Sequence, residues 1–294
     1  MPLANPSAWH CGPRGPGRAY PCVTSDVGRH TVRGTRAALV ATLAVALATP
    51  LAPAVAAPLP TGATQPTHAA AGRADVVAAR FAPVVPGAAR FRWSIPASVR
   101  QVVVVGARGW HSTSGTVTLY DRTAQGWAPV AGWPARLGYG GLVPAASRVQ
   151  STGTTPAGLF SITQAFGRMP EPGARLPYTH LSSDHWWGED RRSRYYNQLR
   201  LGHLGGFVRR THGYNASEHL AAMGPQYDYA AVVDFNRPHP VVGRGAGIFL
   251  HAFGDLTTVG CVSVRRDHMV EILRWLDPAL SPRILVGPRS WLAG

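Results

Sequence analysis

The sequence predicts a mostly β fold, a β-rich mixed sheet or sandwich with a few short helices. Three observations lead there. Runs of β-branched residues bounded by glycine recur along the chain, as in "RQVVVVGA" (100–107) and "GTVTLYDRT" (115–123). Gly at 33 and Pro at 26 of 294 residues punctuate it into many short elements rather than long helices. One segment, "HMVEILRWL", repeats apolar residues at helical spacing.

The elements follow in order. Strands are expected over 100–107 and 115–123. The turn-rich "GWAPVAGWPARLGYGG" (126–141) reads as short strands and loops anchored by aromatics. In "TTPAGLFSITQAFG" (154–167) a Pro-Ala-Gly turn leads into a strand over 159–164. Residues 168–230 are rich in Trp, Tyr, Arg and His and lack periodicity; a long irregular stretch of this kind is more often functional than idle. Strand character returns at 229–236, 247–253 and 261–264. Asp267 then caps a helix over 267–277 with Met269, Ile272, Leu273 and Leu276 on one face, ended by Pro278 and Pro282. A last strand covers 283–287, and no internal repeat occurs.

The first ninety residues read differently. Residues 1–31 form a Pro-, Gly- and Arg-rich extension or a misassigned start, with Val27 or Val32 as the alternative initiator. Residues 32–57 have the order of a secretory signal: Arg33 and Arg36, an apolar run, then Ala-Val-Ala at 54–56. Its apolar run is short for a membrane span and is broken by Pro50 and Pro53, so no transmembrane anchor is expected. Residues 58–90 read as a flexible linker and 91–290 as the folded domain. The chain is expected to be secreted to the cell wall or envelope. Its net charge of +15 comes without a run of four basic residues or an aromatic RNA-binding signature. An anionic cell-wall surface therefore suits it better than nucleic acid.

Cys11 and Cys22 precede the signal, which leaves Cys261 as the one thiol of the exported chain. Such a thiol is either a buried inert residue or a nucleophile. His251 ends an apolar strand ten positions earlier. A nearby base lowers a thiol pKa from about 8.5 toward neutrality. Gly260 lets a bound carbonyl approach the backbone, where the amides of Gly260 and Cys261 suit an oxyanion. His180, His185 and His203 lack tight zinc-ligand spacing, and no metal or cofactor is expected.

"TTPAGLFSI", "HWWGED", "VVDFN", "GIFLHAF" and "TVGCVSV", in this order, resemble the L,D-transpeptidase (YkuD-type) catalytic domain family. The resemblance makes 91–290 the catalytic domain and implies acyl transfer on peptidoglycan stem peptides. In that scheme Cys261 is the nucleophile, His251 the base and then the acid, and the Gly260 and Cys261 amides the oxyanion donors. Thr258 matches the residue that opens the family's cysteine motif. Val259 stands where the family usually has a second histidine, and Ser263 where it often has an arginine. Arg265, two residues further along the expected strand, is the substitute cation for a substrate carboxylate. Trp186, Trp187, Asp190, Tyr196 and Asn197 suit a cleft-lining lid, with Trp187, Tyr196 and Asn197 as substrate contacts. "EHL" (218–220) and Tyr227 suit support of the site, and Asp234 or Asn236 suits orientation of His251. Two other functions fit the same residues: an L,D-carboxypeptidase using water, and a non-catalytic wall-binding protein.

Overall fold

The computed structural model describes residues 89–213, 215–252 and 256–293. The expected extension, the signal and nearly all of the linker lie outside the described residues. Among the described residues thirteen strands follow one another: β1 Gln101–Ala107, β2 Ser114–Thr123, β3 Gly126–Arg136, β4 Leu142–Pro144, β5 Thr155–Gly167, β6 Tyr178–His180, β7 His185–Trp187, β8 Leu199–Leu201, β9 Glu218–His219, β10 Ala230–Val233, β11 Phe249–Ala252, β12 Val262–Val264 and β13 Arg283–Pro288. Helix α1 covers Arg266–Trp275 and α2 covers Arg289–Leu292.

The main sheet runs β10-β11-β12-β3-β2-β1-β13-β5, and β5 pairs back to β10, so the sheet closes on itself. Closure removes the open edges that an ordinary sheet must protect. It rests on the length of β5, whose start pairs β13 and whose end pairs β10 after a register shift. β1 is buried on both faces because both have partners. Val103 and Val105 join the main core, while Val102 and Val104 pack with Trp127, Leu285 and Leu292.

Residues 126–136 form one long strand, not the short strands expected. Pro129 sits beside a bulge: Leu119 faces Ala131 and Tyr120 faces Pro129, which leaves Val130 as the extra residue. α1 starts and ends slightly earlier than expected. Asp267 lies in its first turn rather than capping it, and His268, Met269, Ile272 and Leu273 are its buried residues. Met269, Ile272 and Leu273 pack on Leu250, Ala252, Val262 and Val264, the inward residues of β11 and β12. Burial of each such side chain contributes about 1.5–3 kcal/mol.

The opposite face of β10 and β11 is covered by the irregular segment. Phe166, Ala230, Val232, Phe249 and Cys261 form a second core with Trp187, Tyr196, Leu220 and Tyr227. Within this segment β8-β7-β9 make a small separate sheet.

Candidate active site

β11 and β12 run parallel, with Leu250 opposite Val262 and His251 opposite Ser263. Side chains alternate along strands. Leu250 and Val262 point to the main core, so Phe249, His251, Cys261 and Ser263 share the other face. His251 and Cys261 are therefore diagonal neighbours on adjacent strands, and both line one cleft of 370 Å³.

The Cys261 thiol donates to the Gly247 carbonyl at 3.4 Å and accepts from the Phe249 amide at 3.3 Å. Burial pushes its pKa up to about 12, and Glu218 and Glu189 add to this against the Phe249 amide and Arg148. His251 Nδ1–H donates to the Ala252 carbonyl at 2.5 Å, which leaves Nε2 as the basic nitrogen. The residue is 4% exposed, and its ring packs edge-on against Tyr227 at 5.5 Å. Burial lowers its pKa to about 4, although the Ala252 and Gln226 carbonyls favour the charged form. The resting pair is a neutral thiol and a neutral imidazole.

The turn before the thiol is built by Thr258. Its hydroxyl donates to the Cys261 carbonyl at 2.7 Å and accepts from the Gly260 amide at 3.1 Å. The Gly260 amide is thus engaged within the turn, and Cys261 carries the neighbouring backbone donor. Gly260 is needed for its shape: φ is +130°, and a Cβ there would lie 2.8 Å from Arg148 Nη2 and 2.9 Å from the Thr154 carbonyl oxygen.

A family model of the L,D-transpeptidase catalytic domain matches residues 100–285. The chain belongs to this family. A search among curated proteins finds no match. Among solved structures the chain is similar to Bd1075 of Bdellovibrio bacteriovorus, at 14% identity with a TM-score of 0.32. That match covers 64% of this chain and 47% of the other, so the chain spans about half of that protein's length.

In this L,D-transpeptidase domain the expected substrate contacts are placed unequally. Thr258 lines the cleft. Arg265 does not: β12 stops at Val264 and α1 begins at Arg266, so the chain turns before residue 265 can share the face of Ser263. Its side chain is exposed and pairs with Asp267 at 2.9 Å. Trp187, Tyr196 and Asn197 are buried behind the cleft rather than lining it. Asn197 Oδ1 accepts from Trp187 Nε1 at 2.9 Å and from the Gly247 amide at 3.1 Å. Tyr196 donates to Gln150 Oε1 at 2.6 Å and accepts from the Gly245 amide at 3.1 Å. These three hold the segment leading into β11, which presents Gly247 and Phe249 to the thiol. Asp234 binds Thr163, and Asn236 binds the 241–245 loop. The groups that hold His251 are instead the backbone carbonyls of Ala252 and Gln226.

Three cleft residues escaped the sequence reading or were underweighted by it. Arg148 follows β4 in "PAASRVQ", which carries no motif. It is 5% exposed, donates to the Thr154 carbonyl at 2.9 Å and the Arg244 carbonyl at 3.1 Å, and lines the cleft beside Gly260. Glu189 and Glu218 face the same space. Tyr227 donates to Glu218 Oε1 at 2.7 Å, which links "EHL" to Tyr227 along the cleft wall. Burial raises the Glu218 pKa to about 7 against the Tyr227 hydrogen bond. Burial and Glu218 raise Glu189 well above the carboxylate range, against Arg148.

A carboxyl whose pKa is raised on folding adds stability below its unfolded pKa, and loses it as pH rises through the folded value. For Glu218 that window runs from 4.5 to about 7. Both glutamates are partly open to the cleft, so the loss is about 1–2 kcal/mol rather than the full shift. Glu218→Gln is expected to raise Tm by about 3–5 °C at pH 8 and to leave it unchanged at pH 4.5, read by calorimetry.

Proposed function

We propose that this domain is an exported cysteine L,D-transpeptidase acting on peptidoglycan stem peptides through a thioester on Cys261. The observation that carries this reading is the convergence of Cys261 and His251 on one cleft, from adjacent strands, in a domain of this family. As the stem carbonyl before the terminal D-residue meets the thiol, His251 Nε2 takes the thiol proton and the S–C bond forms. The oxyanion lies toward the Cys261 amide and the Arg148 guanidinium. Collapse breaks the C–N bond, and the imidazolium returns the proton to the departing D-alanine amine. An amine of a second stem then attacks the thioester, His251 takes its proton, and the thiol is regenerated. Arg148 supplies the cation that Ser263 lacks, on the cleft side that Arg265 does not reach. The basic chain approaches an anionic wall, and among the described residues no helix is long and apolar enough to cross a membrane.

The test incubates the protein with a defined tetrapeptide muropeptide and an amine acceptor, followed by mass spectrometry, with Cys261→Ala as control. Amide product with release of D-alanine is expected. Tripeptide alone would assign hydrolysis, and no product would favour a wall-binding role.

A further inference from the structure

We propose that the exposed arginines of residues 192–194 and 209–210, gathered on the irregular segment, form a docking surface for a phosphodiester polymer of the cell wall. This rests on the wall-acting reading above for its choice of polyanion, and it concerns a surface outside the catalytic cleft.

Residues 191–217 hold six arginines and no aspartate or glutamate. Two stretches of this segment lie side by side. The Asp190 carboxylate accepts from the Arg192 amide at 3.1 Å through Oδ1 and from the Val208 amide at 3.3 Å through Oδ2. Ser193 Oγ donates to the Gly206 carbonyl at 2.7 Å. The Tyr195 ring carries the guanidinium groups of Arg194 and Arg200, 4.8 Å and 3.5 Å from its centroid. Arg192 and Arg194 are thereby brought alongside Arg209 and Arg210, and all four are exposed. Arg191 instead donates to Gln150 Oε1 at 3.2 Å.

Little acid answers this charge. The Arg192 side chain is 72% exposed and reaches only the buried Asp190, at 3.5 Å. Among the described residues the Arg209 and Arg210 side chains pair with no acidic group. Glu189 faces the cleft, and Asp184, bound to His203, lies at the other end of β7. Gathered like charges repel, and a polyanion relieves that repulsion. An arginine fork takes phosphate oxygens in pairs, and a polymer charged at every repeat engages several forks at once. The face adjoins the cleft: the Ser217 amide donates to the Arg210 carbonyl at 2.8 Å, and Ser217 and Thr211 both line the cleft. A polymer held there keeps the cleft at the wall. Nucleic acid carries the same phosphodiester, but a domain proposed to work on peptidoglycan meets the wall polymer.

The experiment titrates the full chain with poly(glycerol phosphate) over a range of salt concentrations, read by biolayer interferometry. One variant carries Arg192→Gln, Arg194→Gln, Arg209→Gln and Arg210→Gln. A second loses the same charge elsewhere, through Arg90→Gln, Arg92→Gln, Arg100→Gln and Arg108→Gln, all at exposed positions. The first is expected to bind at least about tenfold more weakly, with a slope of log K against log salt shallower by about 3, as for four lost phosphate contacts. The second is expected to bind like the parent. Equal weakening of both variants, or none in the first, overturns the surface. Tighter binding of a DNA duplex than of the wall polymer assigns the face to nucleic acid and overturns it too. Turnover of a soluble muropeptide, which needs no docking, is expected to be the same in the parent and the first variant. Its loss in that variant alone would put these arginines in the cleft's chemistry and overturn the docking role. Its absence from the parent would overturn the proposed reaction and not the surface, which the binding data decide.

Discussion

Replacing His251 by Gln is expected to lower kcat/KM about a thousandfold while leaving the fold intact, the scale of losing a positioned acid–base group. The imidazole is asked to take the thiol proton, return it to the leaving amine, and take one from the acceptor. Gln can donate to the Ala252 carbonyl as His251 Nδ1 does, but it cannot carry a proton. The pH dependence follows from the site. Burial lowers the His251 pKa to about 4, so the basic form persists well below neutrality and the acid limb of kcat/KM should fall near pH 4. Stability runs the same way: a histidine lowered on folding contributes above its unfolded pKa, and that contribution is lost between 6.5 and about 4. Circular dichroism at each pH separates unfolding from titration. A small effect of His251→Gln, or an acid limb near 6.5, would show that another group is the base.

The strands and the two residues that meet in the cleft, His251 and Cys261, were legible because their signals are local. β-Branched runs mark β1 and β2, and a strand-end histidine precedes a glycine–cysteine turn. Closure of the sheet was not legible: the β5–β10 pairing joins residues far apart and depends on a register shift without a sequence mark. The Arg265 expectation failed for a related reason. It assumed that a strand continues, whereas one residue more or less of β12 decides which way the side chain points. Trp187, Tyr196 and Asn197 looked like a binding platform by composition. Their burial comes from the bare outer face of β10 and β11, which needs a hydrophobic cover. Arg148 and Glu189 are the opposite case: charged residues in loops, ordinary in sequence, made special by where distant segments meet.

The thiol itself is expected to be unreactive in the free protein. The sequence suggests a thiolate near neutral pH because a base is close by, but the structure buries both partners, and burial favours the uncharged form of each. With a pKa pushed up to about 12, the thiolate fraction at pH 7.4 is several orders of magnitude below that of a free thiol. Greater intrinsic nucleophilicity at high pKa recovers part of the loss, with a Brønsted slope of about 0.4–0.5. The net expectation is that iodoacetamide labels Cys261 about a hundredfold more slowly in the folded protein than in the unfolded chain, read by mass spectrometry against time. Changing His251 to Ala should not slow it further, because burial and the Gly247 carbonyl, not the imidazole, set the resting state. Fast labelling at neutral pH that collapses in His251→Ala would instead demonstrate a resting thiolate–imidazolium pair. Slow labelling alongside turnover of a stem peptide would mean that the proton leaves sulfur only as the carbonyl arrives. Substrate binding would then be part of making the nucleophile.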